Sequence, residues 1–253
     1  MGLLPLGPAR QAAEKIGLMP HLRRLRAAAS PAAVKQGRRD DEHLMMLLAW
    51  ALAADSNCVD VGASAGVVLE EFVRLAPQGR HVAFEPIPDA HAALVARFPG
   101  VEVHCAALAD EPGSASFHHV RSRPAYSGLR ERDYPGEVDV ELITVDVHRL
   151  DDVLPEAYVP TLIKIDVEGG ELGVLRGARR ILGQHRPLLV FEHGKGAREH
   201  YGTSADDIFT LLVDELDMRL FDMDGGGPYD RLRFATESNG PRWNWLAAPA
   251  TRT

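Results

Sequence analysis

From residue 57 onward, short apolar runs alternate with stretches of helical period, and this alternation narrows the possible folds more than any other feature of the chain. Asn57–Val61 has strand character and ends in glycine, Val67–Leu75 is helical, His81–Phe84 is a strand, Asp89–Arg97 a helix and Val101–Ala107 a third strand. That succession predicts an α/β domain with a mostly parallel sheet and helices on both faces. Residues 108–140 break the rhythm. Ser114–Val120 and Val138–Val145 look like strands around a turn-rich stretch holding Pro124, Gly128 and Pro135, which predicts a hairpin-like insertion after the third strand. Strand Thr161–Val167, helix Gly170–Leu182, strand Pro187–Phe191 and helix Ala205–Glu215 follow. Met218–Phe221, the Gly225–Gly227 turn and a strand around Trp243–Ala247 close the chain. Seven strands ending in a glycine-turned pair predict that the last one inserts antiparallel.

The length of 253 residues suits one large domain, here residues 44–253, preceded by a helical extension over 1–43. A helix is expected over Asp41–Ala53 from the spacing of Leu44, Leu47, Leu48 and Leu52, with breaks before it at Pro20, Pro31 and Gly37. Charge is unevenly spread. Residues 1–39 carry eight Lys or Arg against the single acid Glu14, so this arm is +7 while the rest of the chain is −15. A basic arm can serve as a nucleic-acid or membrane-surface contact, but a solvated helix face on the acidic main domain is the simpler reading, and a nucleic-acid partner is not expected. No membrane span is expected either, since the longest apolar run, Leu44–Ala54, is too short. Prolines at 5 and 8 interrupt the place where a signal peptide would need its apolar stretch. The two cysteines, Cys58 and Cys105, fall in strand-like runs two strands, or roughly 9–10 Å, apart and are expected as buried free thiols of a cytoplasmic protein.

Three segments carry the chemistry. In Val59-Asp60-Val61-Gly62-Ala63-Ser64-Ala65-Gly66 an apolar strand enters a glycine turn from which a helix opens. Glycines there let backbone amides approach a ligand, and Asp60 can accept from a cationic amine or merely cap the turn. The second strand ends in Glu85, 23 residues after Gly62, the spacing at which an acid takes ribose hydroxyls in doubly wound folds. A dinucleotide fingerprint would need glycines at 64 and 67, where Ser64 and Val67 stand, and an acid ahead of the glycines repels a phosphate. A sulfonium ligand with an amino-acid tail suits the pattern better. The third segment is Ile163-Lys164-Ile165-Asp166-Val167-Glu168-Gly169-Gly170-Glu171. It places Asp166 at a strand's carboxyl end beside the ligand crevice. Lys164 is expected to snorkel outward, and Glu171 to answer a helix dipole.

The runs DVGASAG, FEP at 84–86 and KIDVEGGE with LRGA resemble the FkbM family of S-adenosylmethionine-dependent methyltransferases over roughly residues 40–248. The resemblance implies a class I methyltransferase, Rossmann-like fold and methyl transfer to a hydroxyl of a sugar or a polyketide-like natural product. It implies that Asp60, Gly62, Ala63 and Gly66 hold the methionine end of S-adenosyl-L-methionine, that Glu85 and Pro86 meet the ribose, and that Ala106 and Ala107 flank the adenine. The family often has asparagine where Ser64 stands.

A hydroxyl acceptor gains from a base as charge develops. Asp166 is the expected base, also bordering the cofactor, with Glu192 and His193 at the end of the fifth parallel strand as competitors. A proton-transfer pair of Asp166 with His193 needs no ion, histidine is a poor magnesium ligand, and no H-E-x-x-H motif occurs, so no metal is expected. A methyltransferase acting on RNA or protein, and a non-catalytic S-adenosylmethionine-binding protein, stand beside the small-molecule O-methyltransferase; a homo-oligomer is compatible with all three.

Overall fold

The computed structural model describes residues 32–134 and 137–250. Most of the basic arm, residues 1–31, lies outside them. The chain opens with α1 (Ala32–Ala51), then β1 (Cys58–Val61), α2 (Val67–Leu75), β2 (Val82–Phe84), α3 (Pro88–Arg97) and β3 (Glu102–His104). Next come β4 (Ala106–Leu108), β5 (Gly113–Val120), β6 (Val140–His148), a short α4 (Leu150–Val153) and β7 (Leu162–Ile165). The last part holds α5 (Glu171–Arg176), α6 (Arg179–His185), β8 (Leu188–Glu192), α7 (Ala205–Phe209), β9 (Met218–Asp222), α8 (Arg231–Glu237) and β10 (Asn244–Pro249).

The main sheet has the order β3-β2-β1-β7-β8-β10-β9, with β10 antiparallel to both its neighbours and the other pairings parallel. The expected seven-stranded class I arrangement is therefore present. One face buries Leu48, Leu69, Phe72 and Leu94 from α1, α2 and α3; the opposite face buries Leu175, Ile181, Ile208 and Phe234 from α5, α6, α7 and α8. With both faces covered, the central strands β1 and β7 are buried at every position. No helix among the described residues is long and apolar enough to cross a membrane.

Several boundaries depart from expectation. The third strand is two: β3 stays at the edge of the main sheet, while β4 pairs parallel with β6 in a second sheet of order β4-β6-β5. The insertion is thus a three-stranded sheet, and the chain changes sheets at Cys105. That residue is exposed at the crossing rather than buried, whereas Cys58 is buried; both thiols are free. The single helix expected over 170–182 breaks between α5 and α6, because the Asp151 carboxylate accepts from the backbone N–H of Arg180 and Ile181 and starts a new helix there. The helix that begins with α7 relaxes into a π-turn over Thr210–Glu215. Helix α8, not foreseen, is capped by Asp230 accepting from the N–H of Arg233. Helix α1 runs unbroken through Gly37 and through the expected boundary at residues 43 and 44. The guanidinium of Arg39, from the described end of the arm, pairs with Asp224 after β9.

Gly62 closes β1 with φ +78°, and a Cβ built there would lie 1.9 Å from the Asp166 carbonyl oxygen. Gly62→Ala combines a left-handed backbone with a main-chain clash, so urea unfolding is expected to show a loss of roughly 3 kcal/mol or more. A loss under about 1 kcal/mol would mean that the turn and β7 are not packed this closely.

Candidate active site

The floor of the site is made where β1 and β2 end. The N–H groups of Gly62 and Ala63 both donate to the Phe84 carbonyl at 3.0 Å, which ties the glycine turn to the strand beside it. Gly66, also left-handed, opens α2 against Leu94 and Phe98. Glu85 follows β2 and is 4% exposed. Its Oε2 accepts from the N–H of Ser64 at 2.8 Å and its Oε1 from that of Ile87 at 2.9 Å. Burial pushes this carboxyl up and the two amides pull it back.

Above this floor a cavity runs from Gly62 to the second sheet, with Glu85, Pro86, Ile87, Ala106 and Ala107 on its wall. Its lining is largely apolar, with the carboxylates of Glu85, Asp166 and Glu168 among it, and each Glu85 oxygen keeps a lone pair beyond its backbone partner. An adenosine fits that chemistry: a flat base for the apolar slot and vicinal hydroxyls for the acid. Asp60, Ala63 and Gly66 are buried and do not lie on the wall; they support the turn from behind.

Lys164 does not snorkel outward. Its side chain turns inward, 9% exposed, because β7 is a central strand with no free face. The ammonium donates to the Gly62 carbonyl at 2.9 Å and lies 3.4 Å from both Asp60 and Asp166. Although burial opposes its charge, Asp166 and Asp60 together keep it protonated.

Beyond Asp166 the structure gathers a group of acids. Carboxylate oxygens of Asp166, Glu168 and Glu192 lie within 4.8 Å of one another. Burial raises Asp166, but Lys164 and a hydrogen bond with Glu192 outweigh it and hold the carboxyl below its usual value. Burial first, then the Asp166 charge, lifts Glu192 well above the ordinary range. Glu168 is pushed up to about 8 by burial and by Asp166, with the Arg132 guanidinium that pairs with it pulling downward. Glu171 is not a simple dipole partner. Its Oε1 accepts from the N–H groups of Val167 and Gly169, and burial lifts it to about 7.

His193 does not belong to this group. Strand alternation sends it to the face opposite Glu192, where it is 1% exposed and stacks on Phe234 at 6.1 Å between centroids. Its Nε2 accepts from the Arg198 guanidinium at 3.0 Å, and burial with that cation pushes the ring down to about 3. The Asp166–His193 proton pair is therefore not assembled. Glu168, Arg132 and Lys164 are the residues that sequence reasoning left out. The Val167-Glu168-Gly169-Gly170 run carries a signal, since Glu168 sits at φ +59° directly ahead of Gly169 at φ +105°. With Glu168 in place of His193, the three acids form an all-oxygen set able to hold a hard divalent cation.

Residues 60–220 match the Methyltransferase FkbM domain. "Methyltransferase 1" of Beauveria bassiana is 31% identical over 145 residues, 49% of this chain and 58% of that protein. The chain thus spans less than two thirds of that relative's length. Among solved structures, the methyltransferase FkbM from Methylobacillus flagellatus KT is 20% identical with a TM-score of 0.49, covering 78% of this chain and 44% of that one. A TehB-like methyltransferase from Corynebacterium glutamicum is 12% identical with a TM-score of 0.45, covering 95% of this chain and all of that one, 100%. The match over well more than half of the sequence carries the assignment. This chain belongs to the FkbM family of S-adenosylmethionine-dependent methyltransferases.

Proposed function

We propose that this chain is an O-methyltransferase for a hydroxyl group of a sugar or natural-product small molecule, with Asp166 as the base. One observation carries the reading: the acids stand between two cavities. Asp166 and Glu168 are on the wall of the adenosine-fitting cavity, while Glu192 is on the wall of a narrow recess shared with Arg132, Lys195 and Trp243. A hydroxyl entering from the recess meets carboxylates at the boundary between donor and acceptor.

S-adenosylmethionine, when bound, supplies a methyl group on a sulfonium. The chain's own residues do the rest. Glu85 takes ribose hydroxyls, Pro86, Ala106 and Ala107 border the base, and the Gly62 turn meets the methionine end, with Asp60, Ala63 and Gly66 shaping it from below. Alignment of an oxygen with the methyl carbon supplies roughly 7–11 kcal/mol of the acceleration. Asp166, ionised beside Lys164, receives the acceptor's proton, and Glu192 orients it through their shared hydrogen bond.

The recess has room for little more than one hydroxyl-sized group, so an acceptor would present a single hydroxyl there rather than enter whole, and Arg39 from the basic arm is already paired with Asp224. The free thiols of Cys58 and Cys105 support a reducing, cytoplasmic setting.

The all-oxygen set favours a second reading, a divalent cation that orients the acceptor. The set nonetheless has counter-charges of its own: Lys164 pairs with Asp166 and Arg132 with Glu168, while burial and the neighbouring carboxylates favour the neutral form of Glu192. Assays against a panel of glycosides and macrolide-like alcohols, read by mass spectrometry, are therefore expected to show methylation that survives exhaustive chelation. Loss on chelation with recovery on added magnesium would establish the cation reading.

With an acceptor in hand, Asp166→Asn keeps the shape but is a far weaker base, so turnover is expected to fall roughly 10²–10⁴-fold. Calorimetry should show the variant still binding S-adenosylhomocysteine. Turnover within a few-fold of the parent would remove Asp166 as base.

A further inference from the structure

The register of the sheet puts Asp60 and Lys164 directly opposite each other on β1 and β7. Side chains at such paired positions share a face, and this pair is buried beneath the glycine turn. A counter-charge for Asp60 would need only one of the ammonium's three N–H groups. The ammonium reaches further than that: Asp60 and Asp166 lie within ion-pair range at 3.4 Å each, and it donates to the Gly62 carbonyl at 2.9 Å. The latter two are parts of the donor cavity's wall, and they come from different strands.

We propose that Lys164 is a positioning residue, whose buried ammonium holds the Asp166 carboxylate and the Gly62 carbonyl in place and sets the charge that a sulfonium meets at the donor site. The inference rests on the reading of Asp166 as facing the transferred methyl group. The charges around Asp166 make the lysine consequential. Asp60 faces it from β1, Glu192 from β8, Glu168 and Glu171 from the following turn and helix, and Asp41 from α1. Among the described residues, the acid that Arg132 pairs with is Glu168. Lys164 is the cation in contact with Asp166, so it determines how much negative charge faces the cavity. It also anchors that carboxylate to the turn that bounds the methionine end.

The test compares binding of two ligands that differ in charge at one atom. S-adenosylmethionine is cationic at sulfur and S-adenosylhomocysteine is neutral, so the ratio of their affinities, read by calorimetry, reports the field at that point and needs no acceptor. Lys164→Met alone would leave Asp60 buried and uncompensated and is expected to fold poorly. Asp60→Asn serves as the reference, and Asp60→Asn/Lys164→Met as the probe, with melting temperature checking that each folds. If the double variant does not fold, Asp60→Asn/Lys164→Gln, which keeps a donor toward Gly62, takes its place. Removing the lysine's charge is expected to shift the ratio toward S-adenosylmethionine by about threefold or more, given the few ångströms separating the groups. A merely structural lysine would move both affinities equally, and an unchanged ratio would overturn the proposal. Asp166→Asn separates the two claims: it is expected to shift the ratio the other way. No shift in that variant refutes the placement of Asp166, whereas a shift there without one from Lys164 refutes the lysine's role alone.

Discussion

A charged amine under the glycine turn, with two carboxylates and a carbonyl around it, is the contact on which the site's geometry hangs. Lys164 and Asp60 face each other across the β1–β7 pairing, so the ion pair forms only in the observed register. A slip by one residue would send each side chain to the opposite face of the sheet. Burying such a pair is costly, and removing one partner commonly costs about 3–5 kcal/mol because the other is stranded. The ion pair thus links the alignment of the two central strands to the position of Asp166 and of Gly62. Gly62 in turn has no room for a side chain, since the Asp166 carbonyl occupies the space. Strand register, turn conformation and the direction of the first acid are consequences of one packing arrangement.

The second sheet completes the cavity. Strands β1 and β2 supply the glycine turn and Glu85, but only the crossing of the chain into β4 brings Ala106 and Ala107 over the slot. The stretch between β5 and β6 delivers Arg132 to Glu168. The insertion therefore makes part of the cavity that fits an adenosine and also contributes to the acid group beside it. Substrate-determining parts of such scaffolds are usually the added segments, and here one added segment reaches both.

Much of this was legible in the sequence. Helix α2 and the Glu85 position follow from spacing alone, because a glycine turn and an acid at a strand end leave few geometric options. The antiparallel last strand followed from the glycine turn before it. The departures from expectation have separate causes. Lys164 was sent outward by analogy with surface strands, yet β7 is covered on both sides. His193 was grouped with Glu192 as a neighbour in sequence, although alternation separates neighbours onto opposite faces. The division of β3 from β4, and of α5 from α6 at Asp151, depends on partners distant in sequence, which local periodicity does not reveal. Glu168 was visible only as a turn residue, because its approach to Asp166 needs the left-handed conformation ahead of Gly169 and Gly170.

The most direct test of the site as a whole is a crystal structure of the protein with S-adenosylhomocysteine. The account predicts adenine between Ile87 and Ala107, ribose hydroxyls hydrogen-bonded to Glu85, and the thioether sulfur turned toward the Asp166 carboxylate with the recess beyond it open. Adenosine bound elsewhere, or a sulfur turned away from Asp166 toward the outer face of the second sheet, would contradict it.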